Sequence, residues 1–525
     1  MTPLHLALMS SALAGPATVQ RVLVTHQSPT IDLDVLAQRV PGLEIEASAG
    51  GFTQVRLPAS QLPSLDGLVH SRAPHRGRPD EEELSEGIDD MLLRSWADLE
   101  YRGEGVHIAV VDSGFSGYLG LLGTELPDQV DTHFHSVVQH SDHGTAVAEI
   151  IHDLVPEAEL SLYSFDTEVE FLAAVEGLLA ADVDVVNCCV SWDNVWHPDD
   201  NNPLSSAVNA LADQGVVWVH SAGNDADNYH SGSFEDVDED GWLEIDGLER
   251  LPVLLNDGYG SVSIRWDEPY GAAAHDLILG LYEPGDDTPC AWSDEVQDGA
   301  GDPWEGVSCE TSASTLELAV FDPGGTATGI HAWAWSLYGL RDEHQHAEGS
   351  VAVPSAASGA IAVGAVHWWD HSLAPYSGQG PTYDGRIKPD VSAPTVVSTS
   401  TYGWLGFNGT SAAAPHVTGA AALLVQASEH AFGPDEVRTW LQTEGLDLGD
   451  VGADNLYGGG YVQLDRPPGF EPDSGMDDSG GDSTLRVEDD EPTGCGCGPS
   501  PRWPGVALLI LVLAGAARQR GRPVA

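Results

Sequence analysis

Residues 103–115 read GEGVHIAVVDSGF. Positions 106–111 form a mostly apolar, β-branched run, the pattern of a strand buried on both faces of a parallel sheet. The run ends at Asp112 and turns at Ser113-Gly114. A carboxylate at the carboxyl end of such a strand lies where open α/β sheets carry their sites.

Two further stretches add chemistry to that carboxylate. Residues 140–160 read HSDHGTAVAEIIHDLVPEAEL, and His143-Gly144-Thr145 leads into a helical spacing of Val147, Ile150, Ile151 and Leu154. His143 then stands at a helix start, accessible and able to exchange protons near neutral pH. Residues 408–424 read NGTSAAAPHVTGAAALL, with Ser411 in a small-residue turn before an alanine-rich helix. Free backbone N–H groups and the helix dipole favour negative charge there, so a hydroxyl could attack a carbonyl with its oxyanion held nearby. Pro415 fits the first helical turn, where a missing N–H costs little. Alone, Gly-Thr-Ser-Ala equally describes a serine capping a buried helix.

An Asp, a His and a Ser on three segments can form one nucleophilic unit, whatever their order in the chain. The chain resembles the subtilisin-like serine peptidases in four blocks: VVDSG (110–114), HGTAVAEI (143–150), SAGN (221–224) and the Ser411 stretch. They occur in the family's order, and the resemblance spans roughly residues 95–232 and 350–465. It implies that Ser411 is the nucleophile, His143 the general base and then acid, and Asp112 the group orienting the imidazole. It also implies that Asn224 is the side-chain donor of the oxyanion hole and that residues 189–191 pair with the substrate as an added strand. At Cys189, Val190 and Ser191 the family's Ser-x-Gly is altered, and Thr395 stands where glycine is often found. His152 reads as a structural residue, and His416 lies too close to Ser411 in sequence to act as its base.

Strand and helix patterns alternate on either side of these motifs, which predicts an α/β fold with a doubly wound, mostly parallel sheet. Asn224 and Ser411 are 187 positions apart (411 − 224), more than that sheet needs. Between them, helical alternation gives way to short strand patterns such as SVSIRWD and TLELAVFDP, which predicts an inserted β-sandwich or jelly-roll over 233–345. The insert reads either as a binding surface or as a spacer. At its entry, Asp236, Asp238 and Asp240 before Gly241 resemble the start of a calcium loop. The twelfth position is Gly247 rather than Glu, and a solvated acidic turn reads equally well. No cofactor is required for the chemistry.

The predicted organisation is a signal peptide over 1–17, cleaved near Ala14 or Ala17, then a small α/β unit over 18–80. A buried first strand or helix is the alternative for the start. In the family a small α/β propeptide at this place assists folding and inhibits the active site within the same chain. A zymogen maturing between about 75 and 95 follows from that resemblance. The peptidase domain covers 81–232 and 346–465. An acidic, disordered linker follows over 466–494, then Cys495-Gly-Cys497, an apolar run at 503–517 and a basic end. That tail resembles C-terminal sorting tags of the myxobacterial type, which implies display at the cell surface; a transmembrane anchor would orient it the same way.

The formal net charge of −62 argues against nucleic acid or anionic membrane surfaces as partners and for a soluble, well-hydrated exported protein, whereas protein or peptide substrates are what the resemblance implies. Cys290 and Cys309 have a spacing that permits a disulfide, whereas the adjacent Cys188 and Cys189 read as small buried thiols. Three readings compete: an active serine endopeptidase, an inactive relative that binds proteins through its cleft or insert, and a related peptidase with Glu in place of the catalytic His, which His143 within His-Gly-Thr disfavours. The presence of all four functional residues favours the first.

Overall fold

The computed structural model describes residues 84–135, 141–256, 258–293, 295–327 and 329–469, with the backbone of four strands nearer the N-terminus. Those strands are β1 (Val19–Thr25), β2 (Glu44–Ala49), β3 (Phe52–Pro58) and β4 (His70–Arg72), in an antiparallel sheet of order β2-β3-β1-β4. The predicted signal peptide, most of the segment between β1 and β2, the linker beyond 469 and the tail lie outside the described residues. Among the described residues no helix is long and apolar enough to cross a membrane.

The part that carries the sequence motifs begins with two short helices, α1 (Gly87–Asp90) and α2 (Arg94–Asp98), and then alternates. Its first half comprises β5 (His107–Asp112), β6 (Asp131–Phe134), α3 (His143–Leu154), β7 (Glu159–Ser164) and α4 (Glu168–Leu179). β8 (Val185–Cys188), α5 (Pro203–Ala212) and β9 (Val217–Ser221) complete that half. After the insert, β19 (Ala360–His367) and β20 (Val391–Thr395) rejoin the sheet. The seven strands run parallel in the order β20-β19-β9-β8-β5-β7-β6, the predicted doubly wound sheet.

The apolar run in β5 explains why both faces are covered. Ile108 and Val110 join a core with α3, whereas Ala109 and Val111 join a second core built from Phe171, Val175 and Leu178 of α4 and Val208 of α5. Both α4 and α5 are started by side chains: Thr167 and Glu170 form a capping box, and Asn202 caps a helix whose first residue is Pro203.

Nine strands, β10 (Tyr229–Glu235) through β18 (Ile330–Ser336), make the all-β module between β9 and β19. One half is β16-β13-β18-β10 and the other β15-β14-β17-β11, joined where β10 pairs with β11; β12 also pairs with β17. Here β11 is Trp242–Ile245, β12 Leu251–Leu254, β13 Tyr259–Trp266, β14 Ile278–Tyr282, β15 Pro289–Ser293, β16 Trp304–Glu310 and β17 Thr315–Phe321. Phe234, Val262 and Ile264 of one half share a core with Leu279, Leu281, Leu316 and Leu318 of the other. The pairing that the spacing permits is formed: a Cys290–Cys309 disulfide ties the end strands β15 and β16.

The C-terminal part supplies a hairpin, β21 (Val397–Thr399) and β22 (Gly403–Phe407), then α6 (Thr410–Ala427) and α7 (Pro434–Thr443). From Thr410 to Val425 every residue of α6 is buried. It crosses α3 closely, because a Cβ on Gly419 would lie 2.7 Å from Leu154 Cβ. Only a residue without a side chain permits that approach.

Candidate active site

Asp112 ends β5 with its carboxylate wholly buried. His143 opens α3, and its Nδ1 faces Asp112 Oδ1 at 3.0 Å and Oδ2 at 2.9 Å. Asp112 Oδ1 also accepts the Ser113 N–H at 2.7 Å, which fixes the carboxylate. Burial opposes a charged His143 ring, but the Asp112 charge, its hydrogen bond and nearby Asp142 outweigh it. The imidazole pKa is raised as a result. The Phe407 ring meets the imidazole edge-on, 5.4 Å between centroids.

Ser411 is the second residue of α6 and is 4% exposed. The turn before it is held from outside the helix. Gly409 N–H donates to Tyr376 Oη at 3.1 Å, and Thr395 Oγ1 donates to the Gly409 carbonyl at 3.1 Å. Thr395, which departs from the expected glycine, therefore has a definite job in positioning the turn. Gly409 has φ 101°, and a Cβ there would lie 3.2 Å from Asn224 Nδ2.

Pro415 sits one turn further into the helix than its sequence position suggested, because α6 already begins at Thr410. A proline there cannot donate to the carbonyl four residues back, which is that of Ser411. Cys189 Sγ occupies the vacated acceptor at 3.7 Å. Cys188 and Cys189 are buried free thiols, as the sequence suggested, and burial raises both above the ordinary thiol range.

Asn224 is joined to the same turn. Its Oδ1 accepts Thr410 N–H at 2.8 Å and Thr410 Oγ1–H at 2.9 Å. This leaves its Nδ2 without a partner among the described residues, as is the Ser411 N–H at the start of α6. Two free donors beside a hydroxyl can hold an oxygen that becomes negatively charged.

His143, Asn224, Cys189, Val190 and Ser191 line one cavity of about 440 Å³. Ser411 does not line it and is linked to it through Cys189 and through Thr410. Among the described residues no hydrogen bond joins Ser411 Oγ to the His143 ring. Such contacts are often long before substrate is bound. His416 is not available as a base: its Nδ1 faces the Ala412 carbonyl at 2.7 Å, its Nε2 faces Ser85 Oγ at 2.7 Å, and burial depresses its pKa to about 4. His152, also buried, has its pKa lowered by burial and lies outside the cavity.

Several site residues lie beyond what the sequence suggested. Tyr402 lines the cavity and donates to Asp142 Oδ1 at 3.1 Å, immediately before His143. Glu149, on the His143 helix and 1% exposed, accepts the Ser400 N–H, the Thr401 N–H and the Thr401 hydroxyl from the hairpin carrying Tyr402. Burial is the leading cause that pushes its carboxyl up to about 7.

The three aspartates of the predicted calcium loop do come together, with carboxylate oxygens within 4.8 Å of one another. They form the turn between β10 and β11 rather than a helix–loop–helix unit. Asp236 there accepts the Asp240 and Gly241 N–H groups at 3.1 and 3.0 Å, so the turn is satisfied by its own backbone. The oxygen donors suit a hard cation, with few of them left over.

Residues 339–460 match the Subtilase family model (Peptidase_S8). The chain is 24% identical over 514 residues to the minor extracellular protease Vpr of Bacillus subtilis (strain 168), a match covering 80% of this chain and 60% of that protein. It is 35% identical over 223 residues to Subtilisin BL of Lederbergia lenta, covering 42% of this chain and 66% of that protein. The chain thus spans less than two thirds of the length of either relative. The solved structure of the Clostridium perfringens CspB protease superposes with a TM-score of 0.50 at 16% identity, over 72% of this chain and 95% of that one. At that identity the likeness is one of fold. Together these are similarities to proteins of the subtilase family.

Proposed function

We propose that the chain is a subtilisin-like serine endopeptidase that hydrolyses peptide bonds through an acyl-enzyme on Ser411. The observation that carries this reading is the His143 ring held at Nδ1 by a fully buried Asp112. That bond leaves Nε2 as the basic nitrogen. It takes the Ser411 Oγ proton as the oxygen attacks the carbonyl carbon. The developing oxyanion accepts from Asn224 Nδ2 and the Ser411 N–H. His143 then gives the proton to the leaving amine, and water repeats the sequence in reverse to free the acid. The substrate backbone runs along Cys189, Val190 and Ser191.

By the same reading, the chain is exported as a zymogen. The N-terminal unit inhibits the cleft until it is cleaved, and the C-terminal tail tethers the enzyme at the cell surface. The name of the extracellular relative supports export. The competing reading is a catalytically inactive binding protein, and the lack of a Ser411–His143 hydrogen bond is the observation in its favour.

A fluorophosphonate probe separates the two. Labelling of the purified protein that needs Ser411 and falls sharply in His143→Ala establishes an activated nucleophile. No labelling after removal of the segment before residue 84 sinks the peptidase reading.

A further inference from the structure

The cavity beside His143 and Asn224 contains two carboxyl groups that the chemistry above does not use. Asp193 and Asp225 both line it, and Asp193 is hydrogen-bonded to Asp225. Ser191 lines the same space, with its Oγ buried and without a partner. No lysine or arginine lines it. Arg265 lies on the insert side of the two aspartates, but its guanidinium is committed to Asn194 Oδ1, His197 Nδ1 and Tyr229 Oη.

Their places in the chain say which part of a substrate would meet them. Asn224 is the donor toward the carbonyl under attack, and Asp225 is the next residue. Residues 189–191 run beside the substrate backbone, and Asp193 follows two positions later. The side chain nearest both is therefore the one on the residue that contributes the scissile carbonyl. We propose, resting on the peptidase reading, that this recess receives that side chain and that Asp193 and Asp225 select lysine or arginine there.

The surroundings are consistent with a pocket built for a cation. Burial and the adjoining Asp225 hold the Asp193 carboxyl well above the usual carboxylate range, so a cation placed between the two favours their charged forms. A bound ammonium or guanidinium pairs with both carboxyl groups and meets the free Ser191 hydroxyl. The inserted module takes part directly: Trp335 Nε1 of β18 donates to Asp225 Oδ1 at 2.9 Å, as does Asn228 Nδ2 at 2.8 Å. Asp225 is thereby aimed by a residue the peptidase sheet does not supply.

The test uses the matured full-length protein, in EGTA so that no divalent cation occupies the carboxylates. Peptides differing only at the residue before the scissile bond (Arg, Lys, Gln or Phe) are compared by kcat/KM, and Ser411 labelling is followed in parallel. The expected result is a preference for Arg and Lys over Gln. The Arg-to-Gln ratio should fall roughly ten- to a hundred-fold in Asp225→Asn and in Asp193→Asn. A smaller fall is expected in Trp335→Phe, which keeps the ring and removes the donor. A wild-type enzyme that labels at Ser411 yet prefers Phe, or whose Arg-to-Gln ratio is unmoved in both Asn variants, overturns the pocket assignment and leaves the peptidase standing. Absence of both labelling and turnover overturns the two together.

Discussion

One nitrogen of His143, Nδ1, lies within 3.0 Å of both carboxylate oxygens of Asp112. The ring is thus fixed in orientation and in tautomer by a single buried group. Asp112→Asn is expected to lower kcat on the order of ten-thousand-fold while leaving the fold intact. Circular dichroism alongside peptide hydrolysis checks this; a loss of less than tenfold would mean that the ring is held by something else.

The same pair sets a pH limit. The His143 pKa is raised, and the base must be neutral, so kcat/KM should fall as pH drops through a value above that of a free imidazole. In Asp112→Asn the residual activity should show that acidic limb displaced to lower pH. A pH profile of both proteins decides the matter, and an unmoved limb would assign the titration to another group.

Asn224 and Thr410 should be separable. On the proposed chemistry Asn224→Ala removes an oxyanion donor and is expected to reduce kcat about 100- to 1,000-fold with little change in KM. Thr410→Val keeps the backbone bond to Asn224 Oδ1 and loses only the hydroxyl bond, so a loss of about tenfold is expected. Equal effects of the two changes would contradict this division.

Glu149 should make stability depend on pH. Its folded-state pKa of about 7 exceeds the ordinary value of 4.5. A raised carboxyl pKa means the fold favours the neutral form, so the contribution is complete below the unfolded-state value and is lost as pH rises through about 7. The loss is about 3 kcal/mol. Thermal unfolding between pH 5 and 8 should show the decline in wild type, and Glu149→Gln should flatten it.

Gly419→Val places a branched side chain where α6 meets Leu154. Overpacking of this kind costs about 1–3 kcal/mol. Because α3 and α6 carry His143 and Ser411, catalysis should suffer along with the thermal midpoint. A variant that is destabilised but fully active would show that the two helices shift together.

The parts of this molecule that could be read from sequence are those whose causes are local. The β5 run and the helix start at His143-Gly144-Thr145 each specify their own geometry. So do the short alternating strands of the insert. The rest depends on distant partners. Glu149 looks like an ordinary polar position on α3, yet its donors arrive from residues 400 and 401. Pro415 lies a turn deeper than its local sequence suggests because α6 begins at Thr410, and the Cys189 thiol that takes up the Ser411 carbonyl arrives from just past β8. Asp225 carries no local signal beside Asn224, since the Trp335 indole that holds it lies 110 positions away.

The inserted module has one further consequence, which concerns the order of synthesis. A chain growing from its N-terminus completes Asp112, His143 and Asn224 well before Ser411, with the whole β module between them. These are contacts of very long sequence separation, the kind that form late in folding. On the proposed chemistry, any product that stops within the module carries the base and its orienting acid but no attacking oxygen. An unfinished molecule is therefore unable to cut the proteins of the cell that is making it.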